Sequence, residues 1–133
     1  MDKVTEKLFE LAKRARKNAY APYSGYKVGA AVLTSKNKIF GGCNVESVSF
    51  TLSTHAEMNA IDTAVAAGYR EIKKILVITN SRKPVFPCAL CRQKIMEFSE
   101  NTEVIAATIR GKFATARIRD LYPSAFTKRS LKK

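Results

Sequence analysis

A chain of 133 residues at 46% hydrophobic composition can bury one modest core without disulfides, so a single domain spanning 1–133 is expected. No stretch approaches the ~18 consecutive apolar residues of a membrane span, and charges recur from Asp2 through Lys17 where a secretory core would be apolar, which points to a soluble cytoplasmic protein with no membrane partner. The net charge of +13 concentrates anions near the surface, yet the basic residues run from Lys3 to Lys133 without the interleaved aromatics that stack bases, so a solvated basic surface outweighs nucleic-acid binding.

In chain order, Val4, Leu8, Leu11, Ala15 and Ala19 recur at helical spacing with charges between them, which predicts an amphipathic helix ending at the Tyr20 to Gly25 loop. Residues 27–34 and 38–42 read as two strands joined by the polar turn Ser35-Lys36-Asn37, a hairpin. A helix follows over 53–67, with Ser53 or Thr54 as N-cap and Gly68 as terminator. Residues 72–79 are rich in β-formers and lead through Pro84 and Pro87 to a second core helix over 88–98. Strands over 102–109 and 112–118 close the pattern, and the basic tail from about 127 to 133 is expected to be loosely held. This order predicts an α/β fold in which helices cover a mixed five-stranded sheet.

Three cysteines cannot make a disulfide framework, and Cys88 and Cys91 stand at ligand spacing. His55-Ala56-Glu57 followed by Pro87-Cys88-Ala89-Leu90-Cys91 is the H-x-E…P-C-x-x-C pattern of zinc deaminases. One imidazole and two thiolates leave the fourth zinc position open, as catalysis requires. Both ligand sets fall at predicted helix N-termini, where the helix dipole favours thiolate. Zinc acidifies water to a pKa near ~7 and so supplies hydroxide at neutral pH, while Glu57 is the candidate proton shuttle. Cys43 has no partner at ligand spacing and reads as a packing residue.

With those residues placed, the chain resembles the cytidine deaminase family, in its small-subunit homotetrameric branch, from Ala19 to Phe126. The similarity extends to Ala19-Tyr20-Ala21-Pro22-Tyr23-Ser24, Val28-Gly29-Ala30-Ala31, Gly42-Cys43-Asn44-Val45-Glu46, Cys91-Arg92-Gln93 and Leu121-Tyr122-Pro123-Ser124-Ala125-Phe126. The resemblance implies a three-layer α/β/α sandwich, one zinc ion per subunit, a homotetramer, and hydrolytic deamination of cytidine or deoxycytidine to the uracil nucleoside and ammonia. It further implies that Asn44 and Glu46 bind the sugar, that backbone at Ala56 reads the pyrimidine carbonyl, that Tyr26 lines the base pocket, and that Phe126 reaches a neighbouring subunit's base. Core packing is the competing role for both aromatics.

The sequence departs from the family pattern at two blocks. His55-Ala56-Glu57-Met58 stands where small members usually carry Cys-Ala-Glu-Arg, a coherent pair of changes, because His and two thiolates make a neutral zinc site that needs no neighbouring Arg. Ser47-Val48-Ser49-Phe50 replaces the usual Asn-Ala-Ser-Tyr and removes an amide and a phenol. Three other functions compete: a deaminase for an antibiotic such as blasticidin S, disfavoured by Glu46; a polynucleotide deaminase, disfavoured by the sugar-binding and C-terminal blocks; and a non-catalytic basic RNA-binding module with structural zinc, disfavoured by Glu57 and the open ligand position.

Overall fold

Asp2 opens the first helix by accepting the Thr5 N–H on its Oδ1 at 2.8 Å, which satisfies one of the orphan donors of the first turn. In the computed structural model, which describes residues 1–132, helix α1 therefore spans Lys3–Lys17. Its buried stripe is Thr5, Leu8 and Ala12, while Val4 is exposed. The seven strands and helices that follow are β1 (Gly29–Thr34), β2 (Ile39–Cys43), α2 (Ala56–Ala66), β3 (Ile72–Thr79), α3 (Ala89–Phe98), β4 (Glu103–Thr108) and β5 (Phe113–Arg117). A one-turn helix α4 (Ile118–Leu121) takes up the end of the last expected strand, and a 3-10 turn covers Phe50–Leu52.

The strands form one sheet in the order β2-β1-β3-β4-β5, with β3 and β4 parallel and every other pair antiparallel. All six residues of β1 are buried because alternate side chains serve opposite layers. Ala31 and Leu33 join Leu8, Ala12, Leu76 and Ile105 under α1. Ala30 and Val32 join Ala60, Ile61, Ile75 and Ile95 under α2 and α3. Each fully buried Leu or Ile contributes about 1.5–3 kcal/mol relative to exposure, and these two clusters make the expected three-layer α/β/α arrangement.

Two glycines let the helices approach. A Cβ on Gly29 would collide with the Ala12 carbonyl of α1, and one on Gly42 with the Ala60 backbone nitrogen of α2. The second contact matters for the site, because it presses the first turns of α2 against the end of β2. Gly68 ends α2 as expected: at φ +98° it donates to Val65 while Tyr69 donates to Ala64, the two bonds of a Schellman motif.

Three local expectations differ from the structure. Lys27 and Val28 lie outside β1, since side chains rather than a ladder hold them: Arg16 donates to the Lys27 carbonyl and the Val28 N–H to Asn44 Oδ1. Neither Ser53 nor Thr54 caps α2; the N-cap is His55, whose side chain makes no capping bond. The basic tail is ordered as a 3-10 turn over Lys128–Leu131 with a Thr127/Ser130 capping box. Carboxylates at the end of α3 hold it there, with Arg129 2.6 Å from Glu100 and Lys128 3.5 Å from Glu97. Lys133 lies outside the described residues. Among the described residues no helix is long and apolar enough to cross a membrane.

Candidate active site

His55 and Cys88 are the N-cap residues of α2 and α3, in extended backbone at φ −77° and −66°. An N-cap side chain usually turns back onto its own helix, but these two face each other. His55 Nδ1 lies 3.4 Å from Cys88 Sγ and 3.2 Å from Cys91 Sγ, and all three ligand atoms fall within 4.8 Å of one another. A tetrahedral zinc with ordinary bond lengths sets adjacent N and S ligands about 3.6 Å apart, so the triad closes on one centre. Ser53 does other work, accepting the Ser47 N–H at 3.0 Å, while Thr54 pairs with Val45 through backbone.

Cys91 is fully buried, and its thiol is pushed far up, first by burial and then by the charges of Glu57 and Cys88. Ionised sulfur there is costly unless a cation faces it. A divalent ion with affinity for N and S ligands removes that cost, so the donor set fits zinc. Glu57, 5% exposed in the first turn of α2, is also raised, chiefly by burial, with a hydrogen bond from its own backbone N–H and the nearby His55 pulling the other way.

Above the triad opens a cavity of about 680 Å³, within the range of small-molecule sites. His55, Cys88 and Glu57 line it, together with Asn44, Glu46, Ala56 and Tyr26. Glu46 is held by the loop after α1: Oε1 accepts the Tyr23 and Ser24 N–H groups at 3.1 and 3.0 Å, and Oε2 accepts the Ser24 hydroxyl. Those bonds, the Ser24 hydroxyl first, hold its carboxyl below the usual range, so it is an ionised acceptor at neutral pH. Asn44 is buried; its Oδ1 takes the Val28 N–H, and its Nδ2 donates to the Tyr26 carbonyl at 2.9 Å and more weakly to Glu46 at 3.4 Å. The Tyr26 hydroxyl bonds Ser81 at 2.8 Å.

Phe126 is not brought to this cavity. The residue is 53% exposed, and its carbonyl is tied down by Gln93 Nε2 at 2.8 Å. Cys43 is half-buried, lies outside the cavity lining, and has its thiol raised by burial.

Several positioning residues escaped the sequence reading. Arg92 donates to the Pro87 carbonyl at 2.7 Å and the Leu121 carbonyl at 2.8 Å, clamping the cysteine loop to α4. Gln93 also accepts the Tyr122 hydroxyl at 2.5 Å. Asn59 Oδ1 takes the Cys43 N–H at 3.0 Å, fixing α2 to the end of β2. Arg92 and Gln93 sit beside the C-x-x-C motif, but no periodicity or spacing specifies their carbonyl partners. Phe50 lines the cavity while 72% exposed, packed edge-on against Tyr23 at 5.9 Å, which places the divergent Ser47 to Phe50 block at the mouth.

A three-layer sheet with a His-Cys-Cys triad at two helix N-termini and a buried glutamate beside it defines a zinc hydrolase of the deaminase type. Residues 2–108 match the family model for the cytidine and deoxycytidylate deaminase zinc-binding region. The chain is 38% identical over 127 residues to a cytidine deaminase of Sporosarcina psychrophila, an alignment covering 95% of this chain and 93% of the relative. It is 36% identical over 121 residues to one from Halalkalibacterium halodurans, covering 90% and 92%. The crystal structure of cytidine deaminase from Burkholderia pseudomallei superposes with a TM-score of 0.88 at 42% identity, covering 95% of this chain and all of that one. The chain belongs to the cytidine and deoxycytidylate deaminase family.

Proposed function

We propose that the chain hydrolyses cytidine and deoxycytidine to uridine and deoxyuridine with release of ammonia. The observation that carries this reading is Glu57, a buried carboxyl opening onto the same cavity as His55 and Cys88. A purely structural zinc site has no use for such a group. Zinc held by His55, Cys88 and Cys91, one ion per subunit, supplies hydroxide from water at neutral pH. Glu57 takes the proton that the attacking water gives up and places it on ring N3, then carries the second proton of that water, from the hydroxyl now on C4, to the amine, which leaves as ammonia as the C4 carbonyl forms. Its raised affinity for protons suits a group that must hold one and release it.

Glu46 and Asn44 receive the sugar. Glu46 accepts from a hydroxyl by sharing or displacing the Ser24 hydroxyl, and the weak Asn44 contact to Glu46 is the one a sugar oxygen replaces. The Ala56 N–H stands in the first turn of α2, where no intrahelical acceptor exists, and reads the pyrimidine carbonyl. Tyr26 walls the base pocket. Phe126, exposed and outside its own chain's cavity, closes the cavity of a neighbouring subunit in a homotetramer. The enzyme works in the cytoplasm, whose reducing poise keeps Cys88 and Cys91 available to the metal.

Zinc-loaded protein incubated separately with cytidine, deoxycytidine, blasticidin S, cytidine monophosphate and a single-stranded oligonucleotide, with ammonia release as readout, tests the assignment. Turnover confined to the two nucleosides is expected. Turnover of the antibiotic or the oligonucleotide alone would replace it with another deaminase, and none at all would leave a binding module.

A further inference from the structure

A second hollow, of about 280 Å³, is lined by Asn80, Ser81, Arg82, Ile109 and Arg110. Two loops build it, one leaving β3 and the other leaving β4, the parallel pair of the sheet. The carboxyl ends of such strands are where open α/β sheets place ligands. The loops start joined, since the Ile109 N–H donates to the Thr79 carbonyl at 3.1 Å. Arg110 is then presented by a tight turn in which Gly111, at φ +96°, donates to Thr108 at 3.0 Å.

The electrostatics are one-sided. No acidic residue occurs between Glu71 and Glu97 or between Glu103 and Asp120, so neither loop supplies a carboxylate. Among the described residues the ion pairs are Lys74–Glu103, Lys94–Asp62, Lys128–Glu97 and Arg129–Glu100, and neither Arg82 nor Arg110 takes part. Two free guanidinium groups with an amide and a hydroxyl beside them present the forked donors that match a phosphate. One hydrogen bond links the hollow to the larger cavity, since Ser81 Oγ bonds the hydroxyl of the cavity-lining Tyr26 at 2.8 Å.

We propose that Asn80, Ser81, Arg82 and Arg110 bind a phosphate group, carried by inorganic phosphate or by a nucleoside monophosphate, and that its presence is felt in the substrate cavity through Ser81 and Tyr26. The phosphate site stands on its own residues; its coupling to the cavity rests on the deaminase reading.

Calorimetric titration of the zinc-loaded chain at fixed ionic strength, with sodium phosphate and separately with uridine 5′-monophosphate, tests the site. Saturable binding of one ligand per chain is expected, weakened roughly tenfold or more in Arg82→Gln/Arg110→Gln. A charge-matched control, Lys36→Gln/Arg70→Gln, removes two exposed cations at the opposite end of the sheet and leaves affinity within about twofold. Absence of saturable binding by about 10 mM phosphate, or equal weakening in both double variants, overturns the site. If the arginine double variant melts early, the two single variants, each weaker than wild type, make the same test. Monophosphate that competes with cytidine identifies the phosphate as a substituent of the cavity ligand; phosphate that binds alongside cytidine identifies a separate ligand. Phosphate is expected to shift KM for cytidine in the wild type and not in the arginine variant, which turns over normally without phosphate. Binding with no shift in KM overturns the coupling alone. Failure of the wild type to release ammonia is read independently of either result.

Discussion

Replacing Glu57 by Gln separates the chemical role of this residue from its structural one. The amide fills the same space in the first turn of α2, so zinc content should stay at the wild-type level, but it cannot relay a proton. Loss of general acid–base catalysis is commonly worth ~100-fold to ~10,000-fold, or about 2.7–5.5 kcal/mol of barrier. Burial also raises the affinity of the folded state for the Glu57 proton. Above the ordinary glutamate range the folded chain therefore binds more protons at this site than the unfolded chain, and stability falls as pH rises. The metal-free Gln variant lacks that term. Its melting temperature should equal or trail that of metal-free wild type near pH 4 and gain on it as pH rises above the ordinary glutamate range. Ammonia release with metal analysis checks the first expectation and a melting series in pH the second. Near-normal turnover at full zinc would refute the shuttle, and a melting difference constant across pH would refute the burial argument.

Cys88→Ala or Cys91→Ala should lower zinc stoichiometry together with activity, because two remaining ligands hold the ion weakly, whereas Cys43→Ala should leave both unchanged; metal analysis decides. Gly42→Ala should destabilise by about 1–3 kcal/mol, since the new methyl collides with the Ala60 backbone, and a denaturant midpoint near wild type would contradict that contact. Phe126→Ala should raise KM roughly tenfold, the worth of losing base–aromatic stacking of about 1–3 kcal/mol. Light scattering with activity across a dilution series completes that test: a fully active monomer refutes the shared pocket.

The five strands and the three long helices were legible because their signals are local: a polar turn between two apolar runs at β1 and β2, apolar periodicity in α1, a terminating Gly68. The zinc ligands were legible because one histidine and two cysteines at fixed spacing encode one coordination chemistry. What the sequence concealed was set by tertiary partners. Ser53 and Thr54 have better capping chemistry than His55, yet the cap falls to His55: Ser53 Oγ accepts the Ser47 N–H, and Thr54 is held outside the helix by its backbone bonds to Val45. Asn44 reads as a sugar ligand, but most of its amide is spent on Val28 and Tyr26. The tail reads as free charge until Glu97 and Glu100 at the end of α3 are placed beside it.

The charge distribution connects these observations. The chain carries 24 Lys and Arg residues, yet among the described residues none lines the substrate cavity, whose charged groups are the carboxyls of Glu46 and Glu57 beside the metal ligands. A cavity built to hold a phosphorylated ligand in its interior would place at least one cation there, so its lining suits an uncharged nucleoside. Met58 follows the same logic: one imidazole and two thiolates balance a divalent ion, and a cation at that position would leave excess positive charge beside Glu57, making its proton easier to lose. The basic residues that approach the site, Arg82 and Arg110, stop at its edge in a separate hollow. Neutral substrate inside and anion outside is thus one electrostatic arrangement, and substituting Arg82 and Arg110 should alter the response to phosphate without altering the chemistry at Glu57.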